Sequence, residues 1–354
     1  MSQFGTPSQL GNIGHTNVFG RKEGSGARNE NERLCLIVNP KAGAGAAGRN
    51  IDALKRAADL AFENWEVRLT EGPNHATELA RQASSEDFHL IAAVGGDGTC
   101  HEVVNGMVAD DRPLNRKQAF AVIPFGTGSD LMKTLEVPKK LSGALWIAAT
   151  GMSLPTDVGK ATTRTEDGSE LTQYFINVAG FGANGEVVRR VNARSKKMGG
   201  RLAFMRTALE AALAYKPAEV YVRWTDTAGE PGEWRGLLTS TFIANGAYCG
   251  GGMWVGKGGT MHDGALDMTI IPSTGAVQQF VDLRRLYDGK IERAKDAVRV
   301  AVTELEVTTR ASSDVYVDLD GELSGQLPAR FSVVSRALNV RGGWLRNPLV
   351  GSQE

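Results

Sequence analysis

One rhythm restricts this chain's fold more than any other feature: an apolar run of strand length, a glycine-bearing turn, then a helical stretch, three times over. Leu34-Cys35-Leu36-Ile37-Val38 leads into Gly43-Ala44-Gly45-Ala46-Ala47-Gly48 and a helical stretch from Ile51 to about Phe62. Leu90-Ile91-Ala92-Ala93-Val94 leads into Gly95-Gly96-Asp97-Gly98-Thr99 and a helix starting near Thr99. Ala121-Val122-Ile123 leads into Pro124-Phe125-Gly126-Thr127-Gly128-Ser129-Asp130. Between them, Trp65 to Thr70 alternates as a strand and a helix follows around His75 to Ala83. Short apolar runs bounded by such turns read as buried strands. Strands alternating with helices imply a parallel sheet covered on both faces. Glycine turns at successive strand ends of one sheet converge on a single crevice.

After about Asp157 the rhythm changes. Strand-like runs at Tyr174 to Val178, Val220 to Trp224, Leu237 to Ala244, Leu266 to Ile271, Glu304 to Thr309, Val315 to Leu319 and Phe331 to Val334 are separated by glycine-rich turns. Helical stretches fall near 201–214 and 275–288. This pattern predicts a second, mostly antiparallel β domain. Residues 1–32 are rich in Gly, Ser, Asn and Gln and poor in large apolar side chains, so they are expected to form a disordered tail with order beginning at Leu34. The expected organisation is therefore α/β plus all-β: a tail over 1–32, a parallel-sheet domain over 33–157 to which about 335–350 returns, and a β domain over 158–334.

A chain of 354 residues with 42% hydrophobic side chains can fill two cores. Forty basic and forty acidic residues cancel, which argues against a nucleic-acid partner that needs a basic field. The three cysteines, Cys35, Cys100 and Cys249, are odd in number and far apart, which fits a reducing, cytoplasmic compartment. No apolar run approaches the roughly 18 to 20 residues that span a bilayer, so membrane contact is expected to be peripheral.

Gly95 to Thr99 carries the strongest chemical signal. Glycines let a backbone approach a ligand closely, and the N–H groups at a helix start attract phosphate. Thr99 and Glu102 have capping-box spacing, which predicts a helix start there. Asp97 is out of place among phosphate-binding glycines unless it engages a bridging cation or a substrate hydroxyl proton; the plainer reading is an Asx turn. Gly43 to Gly48 matches the spacing of a dinucleotide fingerprint, with Glu66 or Glu71 where a ribose-binding acid falls, or is simply a flexible turn before a helix. It is not a Walker loop, because Arg49 and Asn50 stand where Lys and Ser/Thr would grip phosphate and metal. In the second half, His262-Asp263-Gly264-Ala265-Leu266-Asp267 and Asp318-Leu319-Asp320-Gly321-Glu322 place carboxylates at tight turns. These are Asp-Gly hairpin turns, or oxygen ligands and a proton acceptor facing the crevice.

Together the motifs resemble the lipid kinases that share the diacylglycerol kinase catalytic domain, a superfamily that includes the sphingosine kinases, and especially their soluble bacterial members. The resemblance runs from about Leu34 to about Arg341. It rests on Val38-Asn39-Pro40-Lys41-Ala42-Gly43, Thr70 with His75-Ala76, Gly95 to Thr99, Pro124 to Asp130 and Asn177-Val178-Ala179-Gly180-Phe181-Gly182. Ala244-Asn245-Gly246 with Gly250-Gly251-Gly252-Met253, Asp263 to Asp267 and Asp320-Gly321-Glu322 complete it. Gly-Gly-Asp-Gly-Thr also occurs in NAD kinases, but the Gly-Gly-Gly-Met and Asp-Gly-x-Leu-Asp elements point to the lipid branch.

The resemblance implies a modified Rossmann-like nucleotide-binding domain, an antiparallel β-sandwich domain, and an ATP site in the cleft between them. By position, Asn39, Thr70, Gly95, Gly96, Asp97, Gly98, Thr99, Gly126 and Thr127 would contact ATP. Asp97 would help organise Mg2+ and the phosphates, and Glu322, supported by Asp320, would deprotonate the lipid hydroxyl. A structural Mg2+ would use the Asp263 carboxylate and the carbonyls of Thr260 and Ala265. Ser129 replaces a frequent Asn, and Lys257-Gly258 replaces a proline turn beside the metal loop. Phe181, Met198, Phe204 and Met205 are groove candidates for the lipid chains, with ordinary core as the stronger reading. A homodimer through edge strands is compatible with the β domain. The competing classes are a NAD kinase or NAD(P)-dependent enzyme, discriminated by lipid-independent activity, and a binding module without catalysis, against which Asp97, Asp263, Asp320 and Glu322 all being present argues.

Overall fold

The computed structural model describes residues 28–125, 130–195, 210, 214–256, 260–290, 293–294, 296–310 and 314–343. The chain opens with β1 (Asn29–Val38), α1 (Ala42–Arg49), α2 (Ile51–Ala61), β2 (Phe62–Leu69), α3 (His75–Ser84), β3 (Leu90–Gly95) and α4 (Asp97–Met107). Next come the short pair β4 (Val108–Ala109) and β5 (Arg112–Pro113), then β6 (Ala119–Pro124), α5 (Asp130–Thr134) and α6 (Leu141–Thr150). The second half runs through β7 (Met152–Arg164), β8 (Glu170–Phe175), β9 (Val178–Gly182), α7 (Ala183–Ser195), β10 (Ala218–Asp226) and β11 (Pro231–Ala244). It ends with β12 (Tyr248–Cys249), β13 (Met253–Trp254), β14 (Leu266–Pro272), α8 (Ala276–Tyr287), β15 (Val298–Thr309), β16 (Tyr316–Leu319) and β17 (Glu322–Gly342).

In the first half β2, β1, β3 and β6 pair in that order, all parallel, with Leu36 standing between Val67 and Ala92. Leu34–Val38 and Leu90–Val94 are buried throughout, which is why they are uniformly apolar rather than alternating. Helices cover the faces: α2 buries Leu54 and Ala58, α3 buries Ala76, Ala80 and Ala83, and α4 buries Val103, Val104 and Met107. The close α3–α4 approach requires Gly106, where a side-chain carbon would collide with Ala80 and the Thr77 carbonyl.

The second half is antiparallel, in the order β10-β15-β14-β11-β9-β16-β17, with further pairing of β10 to β11 and β15 to β17. Its core holds Phe175, Phe181 and Phe331, and the last two stack at 6.1 Å. The two halves share β17. It pairs antiparallel with β7 from Gln326 opposite Arg164 to Gly342 opposite Met152, and its end pairs parallel with β6 through Asn339 and Val340.

Several boundaries differ from those expected. Residues 28–32 of the expected tail are part of the fold, because β1 starts at Asn29, where it pairs with β2, and Glu32 is gripped by Arg341 at 2.6 and 2.8 Å; residues 1–27 lie outside the described residues. The strand expected over Tyr174 to Val178 is two strands, β8 and β9, broken where the Ile176 and Asn177 amides turn to Asp320 instead of a ladder partner. The capping box at Thr99 and Glu102 does not form: Gly96 is the N-cap, and the Glu102 carboxylate accepts the Ala76 amide at 3.0 Å, holding the start of α3. Phe181 is fully buried core rather than groove. Most of the helical stretch near 201–214, with Met198, Phe204 and Met205, lies outside the described residues. Among the described residues no helix is long and apolar enough to cross a membrane.

Candidate active site

The parallel sheet brings the nucleotide candidates to one edge. Asn39 follows β1, and its amide donates to the Val94 carbonyl at 3.1 Å; its side-chain Nδ2 reaches Thr99 Oγ1 at 3.4 Å and its Oδ1 accepts the Lys41 amide at 3.0 Å. Thr70, at the end of β2, donates its amide to Val38 at 2.9 Å. Gly95 packs so closely on Thr99 that a side chain there would collide with it. No side chain caps the start of α4, so the helix end beside Gly96 is open to an anion. The Phe125 amide donates to Gly95 at 2.8 Å, which holds Phe125 alongside. Gly126 and Thr127 themselves lie outside the described residues, as does Lys257-Gly258.

Asp97 joins two of these loops. Its carboxylate accepts the amides of Asp130 at 3.1 Å and Leu131 at 3.2 Å, holding the start of α5 against the glycine turn. Burial pushes the Asp97 carboxyl up to about 6; the two amides work against that, and the charges of Asp130 and Asp320 add to it. Asp130 is itself buried and ties α5 to the second half: Lys133 Nζ lies 2.6 Å from its Oδ1 and the Gly251 amide 2.6 Å from its Oδ2.

From the other side comes the β16–β17 hairpin. Asp320 and Gly321 have φ of 53° and 85° with Leu319 opposite Glu322, a two-residue turn that favours Asp-Gly. The Asp-Gly hairpin reading holds here. The Asp320 carboxylate is buried and accepts the amides of Ile176, Asn177 and Val178 at 3.1, 2.8 and 3.1 Å, and the ring of His101 lies 3.1 Å from Oδ2. Glu322 extends across the cleft to the glycine turn, so close to Gly98 that a side-chain carbon at position 98 would collide with Oε1. Desolvation holds its carboxyl above the ordinary glutamate range, opposed by His101 and reinforced by Glu102 and Asp320. Asp318, on β16 two residues before Asp320, is buried with its Oδ2 lacking a hydrogen-bond partner. Burial, then the charge of Asp320, pushes it up to about 8.

The proposed metal turn stands apart from this cluster. Asp263 Oδ2 accepts the Thr260 amide at 2.9 Å and Oδ1 the Ala265 amide at 3.2 Å, while the Thr260 carbonyl accepts the amides of His262 and Asp263. Fully buried Asp157 anchors this turn by accepting the amides of Gly264 and Arg336, each at 2.7 Å. In the middle of β2, Glu66 is ion-paired with Arg68 at 2.7 Å and Arg33 at 3.4 Å rather than facing the glycine turn of α1.

His101 and Asp157 escaped the sequence reading, whereas Asp130 and Asp318 stood inside motifs it singled out but were given no separate role. His101 lies four residues after Asp97 on one helix, so the helical period carried a signal.

The chain matches the family model of the diacylglycerol kinase catalytic domain over residues 33–161 and that of the YegS C-terminal NAD kinase beta sandwich-like domain over residues 177–342. It is 27% identical over 310 residues to the diacylglycerol kinase of Bacillus subtilis strain 168, covering 87% of this chain and 96% of that one. It is 26% identical to the diacylglycerol kinase of Staphylococcus aureus strain JH9, covering 87% and 92% of the two chains. A crystal structure of a candidate diacylglycerol kinase from Bacillus anthracis superposes with a TM-score of 0.68 at 28% identity, covering 90% of this chain and 97% of that one. Two consecutive family models thus cover the two halves whose facing turns build the cleft, and the chain belongs to the lipid kinases that carry the diacylglycerol kinase catalytic domain.

Proposed function

We propose that this lipid kinase transfers the γ-phosphoryl group of ATP to a hydroxyl of a diacylglycerol-like or sphingoid-like membrane lipid, with Glu322 accepting the hydroxyl proton. The observation that carries the reading is the contact of the Glu322 carboxyl with Gly98, which sets a proton acceptor beside a glycine turn suited to phosphate. Its affinity for protons, held above that of an ordinary glutamate, favours the proton-accepting role. Phosphoryl transfer needs alignment and charge neutralisation more than covalent chemistry. In this reading Asn39, Thr70, Gly95 to Thr99, Gly126 and Thr127 hold the nucleotide, Asp97 keeps the two phosphate loops together, and Asp320 fixes the hairpin that presents Glu322.

Mg2+ fits the donor set. Asp97 is pushed up by burial and by neighbouring carboxylates, and Glu322, exposed at the cleft, is pushed up by desolvation and by Glu102 and Asp320 against His101, the electrostatics of a cleft lined by hard oxygens. When bound there, the ion supplies neutralisation of phosphate charge. A second, structural Mg2+ at Thr260, Asp263 and Ala265 also belongs to this reading, since each Asp263 oxygen retains a lone pair beyond the amide it accepts. The substrate's location implies peripheral contact with the inner face of the membrane from the cytoplasm, an assignment that recovery of the native chain outside the cytoplasm would sink.

The test is incubation with labelled ATP, Mg2+ and mixed micelles holding a panel of lipids. Label enters one lipid class, and Glu322→Gln lowers its rate by about 100-fold or more, the scale of a general base. Label in NAD instead of lipid, or a Glu322→Gln rate equal to the native one, overturns the reading.

A further inference from the structure

We infer that His101 is a positioning residue for phosphoryl transfer, holding the Asp320–Gly321 turn so that Glu322 rests on the Gly98 turn. The inference rests on the reading of Glu322 as the base. The three backbone amides that Asp320 accepts, from Ile176, Asn177 and Val178, all belong to the second half, so they fix the hairpin only within that half. Among the described residues, the hydrogen bond that ties the Asp320 carboxylate to the first half is the one from His101. His101 lies on α4, the helix that begins at Asp97, and both side chains of the pair are nearly fully buried, at 6% and 1% exposure. A buried hydrogen bond to a carboxylate is both directional and strong.

The surroundings also fix the ring's protonation pattern. The Asp320 carboxylate accepts three backbone amides, so the matching partner is an imidazole that donates from Nδ1. Its Nε2 then faces the Asn105 amide nitrogen at 3.4 Å. Asn105 is locked in turn: its Nδ2 donates to the His101 carbonyl at 2.9 Å and the Tyr174 carbonyl at 2.8 Å, while its Oδ1 accepts the Tyr174 amide at 2.8 Å. Hydrogen bonds therefore run from β8 through the Asn105 side chain to the His101 backbone carbonyl, and from the His101 ring to the hairpin carrying Glu322. The ionisable groups that bear on Glu322 are His101 itself, Glu102 on the same helix and Asp320 on its own hairpin. Loss of the imidazole N–H frees the hairpin to shift against the glycine turn, and a displacement of roughly 1 Å costs up to about 100-fold in rate.

The experiment measures kcat and KM for ATP with the lipid that the native enzyme labels, in native, His101→Leu, His101→Asn and Glu322→Gln chains, with melting temperatures for each. His101→Leu keeps bulk without a donor, and is expected to lower kcat by roughly 10- to 100-fold with KM for ATP changed by less than about threefold. His101→Asn restores an N–H donor and returns kcat to within about fivefold of native. In the native chain, nitrogen NMR of the five histidines shows a buried ring protonated at Nδ1 and bare at Nε2, a readout independent of how the variants fold. Native kcat in His101→Leu, failure of His101→Asn to recover any rate, or an Nε2-protonated ring at position 101 overturns the inference. If Glu322→Gln abolishes turnover while His101→Leu does not, this inference alone falls. If Glu322→Gln is fully active, the reading of the base falls and this inference with it.

Discussion

At Asp318 a carboxyl group is held out of water with Oδ2 lacking a hydrogen-bond partner, while Asp320 two residues on is fully engaged. Leaving a buried polar atom unpaired is costly, and an ionised one more so. The proton is therefore bound more tightly in the folded chain, with the pKa raised from 3.8 to about 8, burial first and Asp320 second. The sign follows from linkage: stability supplied by the protonated group is complete below pH 3.8 and is lost as pH rises towards about 8. Asp97, raised from 3.8 to about 6, adds an earlier step of the same sign. Asp318→Asn removes only the Asp318 contribution. Its melting temperature is expected to match the native one at pH 4 and to exceed it by about 3 °C or more at pH 9. A native melting temperature that gains on the variant between pH 6 and pH 9 would sink this account.

The elements legible in the sequence were those whose environment is uniform along their length. Leu34–Val38 and Leu90–Val94 are buried on both faces, so apolarity alone marks them, and the glycine turns that follow are demanded by close packing at their ends. Strand β7 and most of β17 were hidden because their pairing changes along their length and they bury polar residues such as Thr156, Asp157 and Ser324. The site was legible in its turns, Gly95–Thr99 and Asp320–Glu322, but not in its partners. His101 meets Asp320 across 219 residues, and no local pattern records a bond of that kind. At the turn before β14, the sequence offered a metal ligand and the fold adds Asp157 as its anchor. With nucleotide absent, about 10 mM Mg2+ is expected to raise the native melting temperature by roughly 3 °C, as ligation of the folded state alone would. Asp263→Ala abolishes the response; a native chain indifferent to Mg2+, or a variant with the native response, removes the ion from this turn.

Across the whole molecule, β17 makes the two halves one folding unit. Its early residues pair with β16 and β15 in the second core, and Asn339 and Val340 close the first sheet beside β6. Arg341 then reaches Glu32 on β1, and its Nη1 donates to the Ala148 carbonyl at 2.8 Å, fastening the end of the strand to β1 and α6. Neither core can be completed while the other is open, since β17 and β7 pass through both and the Asp320–His101 bond joins them at the cleft. All-or-none unfolding follows from such shared elements rather than from chain length. Trp65 on β2 reports the first half, and Trp224 and Trp234 on β10 and β11 report the second. Variants retaining only one of these reporter sets are expected to give coincident urea midpoints, and ATP with Mg2+ to raise both midpoints together. Midpoints that separate, or a nucleotide shift confined to Trp65, would mean that the halves fold independently and that the cleft between them is assembled only after each has closed.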